Sequence, residues 1–210
     1  MIPTKALAGS RMERKKEDTK QKIIAVALRL FLEQGVDATT MEQIAAEVDI
    51  AKGTLYNYFP VKEAIIDEFI RRSFKEKNTD RIQDLLKMPD TRSRLIHVIS
   101  DMIEGVKNQP EIFEKYLIYR MQSMVSVHLD ESERSGFHLA ASEIIEIGQK
   151  SGEIRRDLPV YALIELFEYA FIEVVKHLFM EKENFKPRKT IELYVDLCIN
   201  GIKSDSKKKT

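Results

Sequence analysis

The chain carries a single cysteine, Cys198, no tryptophan, and only eight glycines and six prolines in 210 residues. One cysteine excludes an internal disulfide and fits a reducing compartment. Charge of one sign is also missing: lysine plus arginine number 34 and aspartate plus glutamate 34. Net charge therefore gives no pointer to nucleic acid or to an acidic surface. The longest unbroken apolar run, Ile23 to Leu28, stops at Arg29, far below the roughly 20 residues that span a bilayer. Met1 to Ser10 is mixed and Arg11 to Lys22 strongly charged, so nothing there has the apolar length of a leader. A cytoplasmic protein with no membrane partner is expected.

Catalytic groupings are just as scarce. The four histidines, His97, His128, His138 and His177, stand singly, and none has the Glu three residues earlier that di-iron bundles use. There is no phosphate-cradling glycine loop and no cysteine–histidine metal spacing. No enzyme, cofactor or metal site is expected. What is present is 43% hydrophobic and 32% charged residues, enough to bury a sizeable core in water.

Beyond Pro3, the prolines at 60, 89, 110, 159 and 187 sit where helices can begin. Between them the apolar spacing is helical, without convincing period-2 alternation. An all-α chain of about nine helices is predicted. Residues 1–16 read as a flexible basic arm. Helices follow near Glu17–Gln34, Thr40–Val48, Ala51–Tyr58, Lys62–Leu86, Arg92–Lys107, Glu111–Val125, Glu131–Ser151, Pro159–Lys182 and Arg188–Lys203. Gly35 and Gly152 are expected helix stops, and residues 204–210 read as a disordered basic tail. The division expected is a small unit over 17–62 and a larger one over 63–203.

Thr40 and Gln43 have capping-box spacing. The second helix, the Val48–Asp49–Ile50 turn and the third helix have the proportions of a helix-turn-helix, whose second helix fits the major groove. Leu55 and Phe59, four apart, can pack inward. Lys52, Thr54, Tyr56, Asn57 and Tyr58 are then left largely outward, where such side chains reach phosphates or base edges. Gly53 costs about 1 kcal/mol relative to Ala in a helix interior. It serves either a close backbone approach to DNA or close packing between helices. Residues 1–22 hold seven Lys/Arg against three Asp/Glu, a surplus that can track phosphate or simply stay solvated.

Thr39–Ala45, followed by the string Ala51–Lys52–Gly53–Thr54–Leu55–Tyr56–Asn57–Tyr58–Phe59–Pro60–Val61–Lys62–Glu63, resembles the TetR/AcrR family of bacterial transcriptional regulators over about Lys20 to Phe69. Gly148–Arg155 resembles, more weakly, a recurrent feature of that family's ligand domain. The resemblance implies an all-α homodimer that binds palindromic double-stranded operator DNA, usually as a repressor released by a small molecule. By position it implies phosphate contact at Thr40 and Lys62, and recognition-helix roles for Lys52, Gly53, Thr54, Tyr56, Asn57 and Tyr58. Asp49 stands where Gly is frequent, and Ala51 and Val61 where a capping residue is common. A helical adaptor of the same fold without DNA binding is the alternative.

In the last helix Ile191, Tyr194, Val195, Cys198 and Ile202 form one apolar side, and Leu193 with Leu197 another. That is wider than one core requires. The preceding helix carries Leu163, Phe167, Phe171, Val174 and Leu178. A two-fold four-helix interface using Phe167, Phe171, Tyr194, Leu197 and Cys198 is expected. The sixth helix holds Arg120 in the middle of a stripe of Phe113, Tyr116, Leu117, Met121 and Met124. A guanidinium facing a core needs a partner. Either it meets the anionic group of an otherwise apolar effector, or it pairs with Glu165, Glu168 or Glu173, or it snorkels to water. Met102, Tyr116, Tyr119, Met124, Phe137 and Tyr169 are the candidate companions of Arg120 around an effector.

Overall fold

A computed structural model describes residues 11–76, 78–124 and 136–200. Among them lie ten α-helices and no strand. They are α1 (Arg11–Gln34), α2 (Met41–Val48), α3 (Lys52–Tyr58), α4 (Lys62–Glu76), α5 (Asn78–Leu86), α6 (Thr91–Asn108), α7 (Pro110–Met124), α8 (Gly136–Ser151), α9 (Val160–Glu181) and α10 (Pro187–Asn200), with a 3₁₀ turn at Lys182–Asn184. The all-α expectation holds, and two helices, α4 and α5, are described within the stretch foreseen as one over Lys62–Leu86, on either side of residue 77.

The chain is already helical at Arg11, the first described residue, six positions before the expected start. Arg, Met, Glu, Lys and Gln are strong helix formers, and the segment contains no Gly or Pro. Glu17 ties it to Arg72 of α4 at 2.5 Å. Residues 11–16 are thus helical rather than a flexible arm, whereas residues 1–10 and the tail at 204–210 lie outside the described residues.

Two apolar cores organise the bundle. The first gathers Ile23, Ala27 and Phe31 of α1, Ile44 of α2, Leu55 of α3, Phe59, and Ile65, Ile66 and Ile70 of α4. It also takes Ile112 and Tyr116 of α7, so the three-helix head is completed by side chains well beyond residue 62. The second packs α6, α8, α9 and α10 through Ile99, Ile103, Ile144, Ile145, Phe167, Phe171 and Val195. Phe74, Phe113 and Leu117 border both cores. Movement of α4 or α7 is therefore felt in both.

The Gly148–Arg155 stretch proves to be a docking corner. A Cβ on Gly148 would stand 2.5 Å from the Thr91 hydroxyl, so only glycine lets α8 approach the start of α6. Gly152 then turns the chain at φ +84°, and Glu153 accepts the Thr91 backbone N–H. That bond, against the opposing effect of burial and with help from Ser151, holds the Glu153 carboxyl down at about 2. Buried Arg94 donates to the Leu85 and Met88 carbonyls, each at 3.0 Å, which ends α5 against α6.

Candidate nucleic-acid interface

The head is built by strong local signals. Thr40 is extended and caps α2: its hydroxyl accepts the Gln43 N–H at 3.2 Å, and its own N–H donates to Gln43 Oε1 at 2.9 Å. At the other end Asp49 is left-handed, with φ 61° and ψ 52°. The Asp49 N–H reaches the Ala46 carbonyl and the Ile50 N–H that of Ala45, the paired bonds that close a helix and reverse the chain. Asp manages there what glycine does more cheaply. Ala51 begins α3 without a side-chain cap.

On α3, Leu55 is buried and Phe59 follows it inward. Lys52, Gly53, Thr54, Tyr56 and Asn57 are exposed. Tyr58 is less outward than expected: it is half-buried against the head's core. Around Gly53 a Cβ would meet nothing within 4 Å. Close packing between helices does not explain this glycine. Lys52 pairs with Glu42 of α2 and lies 5.8 Å from the Tyr56 ring centroid.

Lys62 differs from the expected phosphate contact. Its ammonium donates to the Val36, Asp37 and Thr39 carbonyls at 2.5, 3.4 and 3.2 Å, and so spends its three donors on the loop between α1 and α2. It holds Thr40 in position from behind. The loop is gripped from α7 as well. Glu111 accepts the Val36 N–H at 2.7 Å, and Lys115 meets Asp37 at 2.7 Å. Sequence reasoning missed Glu111 and Lys115, since partners 75 or more residues away leave no local signature, and Glu68, although Arg71 and Arg72 lie within one turn of it.

Glu68 is the buried charge of the α1–α4 joint, bound by Lys20, Arg71 and Arg72. Burial pushes its carboxyl up, but hydrogen bonds from the three cations outweigh that and bring it to about 2.

Of the residues expected around an effector, Arg120 stands 3.7 Å from Asp67 of α4. Tyr116 is buried in the head's core, and burial pushes its phenol far up. Phe137 stacks on Phe171 with centroids 5.3 Å apart, filling the second core. Tyr169 is 61% exposed on the outer side of α9. Tyr119 is half-buried on α7, and the Met124 side chain lies outside the described residues. Met102 lines a cavity. That cavity, 380 Å³ in volume, lies between α4, α5, α6 and α7, with Phe74, Val98, Met102, Gly105 and Phe113 among its walls.

The proposed dimer residues divide. Phe167 and Phe171 are only 2% and 3% exposed and belong to the chain's own core, because the 167–171–174 stripe of α9 faces α8. Tyr194 is half-buried and hydrogen-bonded to His177 at 3.1 Å. Leu197 and Leu193 are exposed, at 41% and 56%. Cys198 faces the Leu166 carbonyl, and burial pushes its thiol up to about 11. Leu166 and Ile199 are exposed nearby, so an apolar surface does run along α9 and α10, on other α9 residues than those expected. Among the described residues, no helix is long and apolar enough to cross a membrane.

The sequence profile described as bacterial regulatory proteins, tetR family, matches residues 23–69, the stretch that forms the head. The HTH-type transcriptional regulator YdeS of Bacillus subtilis is 30% identical over 157 residues, covering 71% of this chain and 74% of its own. The Thermus thermophilus FadR repressor, solved with lauroyl-CoA, matches the fold with a TM-score of 0.70 at 18% identity, over 91% of this chain and 98% of its own. Bacillus subtilis FadR, solved with stearoyl-CoA, matches at 0.58 and 20% identity, over 87% and 99%. With the head, the larger helical unit and the relative's identity in agreement, the chain belongs to the TetR family of DNA-binding bacterial transcriptional regulators.

Proposed function

We propose that the chain is a repressor that binds palindromic operator DNA as a homodimer and releases it when a small, largely apolar effector fills the α4–α7 cavity. One observation carries the DNA reading: α3 turns Lys52, Gly53, Thr54, Tyr56 and Asn57 to solvent, with open space at Gly53. The missing side chain leaves room for a phosphate or base edge against the backbone. Lys52 and the Thr40 hydroxyl, both beside the Glu42 carboxylate in the free chain, exchange it for a phosphate.

The exposed apolar residues of α9 and α10, Leu166, Tyr169, Leu193, Leu197 and Ile199, support a two-fold contact with a second copy. Pairing is required mechanically, because two recognition helices must stand about 34–36 Å apart to read successive turns. Two grips on the head support the switch. Phe74 of α4 and Phe113 of α7 both line the cavity; α4 carries Lys62 and α7 carries Glu111 and Lys115 to the same loop. An effector that fits the cavity better in one arrangement of these helices shifts the spacing of the heads. One that fits both equally shifts nothing.

Selection of bound duplexes from a random pool tests this reading. A palindromic consensus is expected, with affinity falling steeply in salt, by about 0.9 log units per tenfold salt for each phosphate neutralised. Leu193→Glu with Leu197→Glu is expected to give folded monomers by sedimentation and to lose operator binding. Recovery of no consensus, or a salt-independent affinity, overturns the assignment.

A further inference from the structure

At the start of α2 the capping box takes the backbone amides of Thr40 and Gln43. The chain also supplies an anion there. The Glu42 carboxylate accepts from the Lys52 ammonium of α3, from its own backbone N–H and from the Thr40 hydroxyl. Those hydrogen bonds, that from Lys52 foremost, hold the carboxyl below the usual carboxylate range. Lys52 in turn lies 5.8 Å from the Tyr56 ring centroid, on the face of α3 that is open to solvent. An amide at a helix start, a hydroxyl and an ammonium are the donors that a phosphate oxygen takes. Both Glu42 and Lys52 are more than half exposed, so the pair stands on the head's surface and not in its core. An ion pair in that setting contributes little to stability.

We infer that Glu42 is an internal stand-in for an operator phosphate: it occupies Lys52 and Thr40 in the free chain, must yield them when DNA binds, and so sets the affinity for duplex without reading bases. The inference rests on the DNA-binding reading above and adds a residue that opposes it. In the complex the carboxylate has lost Lys52 and faces a phosphate of its own sign, which costs affinity. While the pair persists, it brings no net charge to the duplex, whereas Lys52 freed of Glu42 brings one cation and releases the counterion of one phosphate. The energetic weight of Glu42 therefore falls on the bound state, not on the fold.

Glu42→Gln, which keeps the side chain's length and removes its charge, tests this in the full-length protein by fluorescence anisotropy of a labelled duplex. The far-ultraviolet spectrum should be that of the parent. Affinity for the selected operator is expected to rise about tenfold or more for the dimer, the order for removing two like charges near phosphates at a wet surface. The slope of log affinity against log salt should steepen by about 0.9 for each subunit. An unrelated duplex of the same length should gain comparably, and the selected consensus should not change. Glu47→Gln removes a carboxylate from the other end of the same helix, where it faces Arg29. It controls for net charge and should change affinity by less than about twofold, because salt screens a distant charge. Operators carrying one methylphosphonate at a time locate the contact. At a single position in each half-site the advantage of Glu42→Gln should vanish, since the phosphate with which the carboxylate competes is already neutral. Unchanged or weaker binding by Glu42→Gln, an equal gain from Glu47→Gln, or a gain indifferent to which phosphate is neutralised overturns the inference and leaves DNA binding in place. If the parent chain binds no duplex, both readings fall.

Discussion

Glu111, in the first turn of α7, accepts the backbone N–H of Val36 at 2.7 Å across 75 residues of sequence. Val36 directly follows Gly35, the residue that stops α1 at φ +89°, so an orphan amide beyond one helix is satisfied from the start of another. Lys62 fills the loop's carbonyls from α4. The loop that presents Thr40 thus hangs on two helices that also wall the cavity.

Glu111→Ala removes the acceptor and leaves the Val36 amide partly buried. A loss of about 1–3 kcal/mol is expected, read from urea unfolding at neutral pH. The surface Lys115–Asp37 pair should contribute far less, as a double-mutant cycle would show. If Glu111→Ala costs no more than Lys115→Ala, the amide is being satisfied by water and the latch has no energetic content.

Gly53→Ala separates stability from recognition. With nothing within 4 Å of the added Cβ, the free protein should gain up to about 1 kcal/mol from helix propensity. Operator affinity should fall at the same time, since the methyl occupies the surface that meets DNA. A variant stabilised in thermal melts that binds operator as tightly as the parent would show that DNA does not approach this backbone.

Lys62→Met distinguishes a loop clamp from a phosphate contact. Losing an ammonium bound to three carbonyls should cost about 1.5–3 kcal/mol, the range for hydrogen bonds to a charged group. The slope of log affinity against log salt should stay that of the parent. A slope shallower by about 0.9 would instead mark the loss of one neutralised phosphate.

Glu68 sets an acid limit on the head. Its carboxyl titrates at about 2 in the folded chain against an ordinary value of 4.5. The unfolded state therefore binds the proton first as pH falls. The stabilisation is fully present above pH 4.5 and is lost progressively between there and about 2. Glu68→Gln should lower stability at pH 7 by about 3 kcal/mol, because Lys20, Arg71 and Arg72 are left without their common anion. The difference between parent and variant should shrink on acidification, measured by chemical denaturation from pH 7 to 3. A constant gap across that range would assign the loss to packing rather than charge.

Reading the sequence recovered what short-range chemistry dictates. The Thr40–Gln43 box, the left-handed Asp49, the stops at Gly35 and Gly152 and the inward Leu55 and Phe59 depend on neighbours within a few residues, and each lies where spacing put it. Tyr58, Phe167 and Phe171 were placed outward or at an interface because periodicity reports a face but not what covers it.

Partner choice belongs to the tertiary structure. Helical spacing offered Arg120 carboxylates on its own and later helices; packing of α7 against α4 brings Asp67 within 3.7 Å of it as well. Lys62 points at carbonyls rather than outward because α4 crosses behind the loop at 36–39. The cavity exists only where four helices leave a gap that their side chains do not fill. Helix type and ends follow from bonds closed within one turn, whereas ion pairs, cavities and shared faces follow from how separate helices pack, which one-dimensional order leaves open.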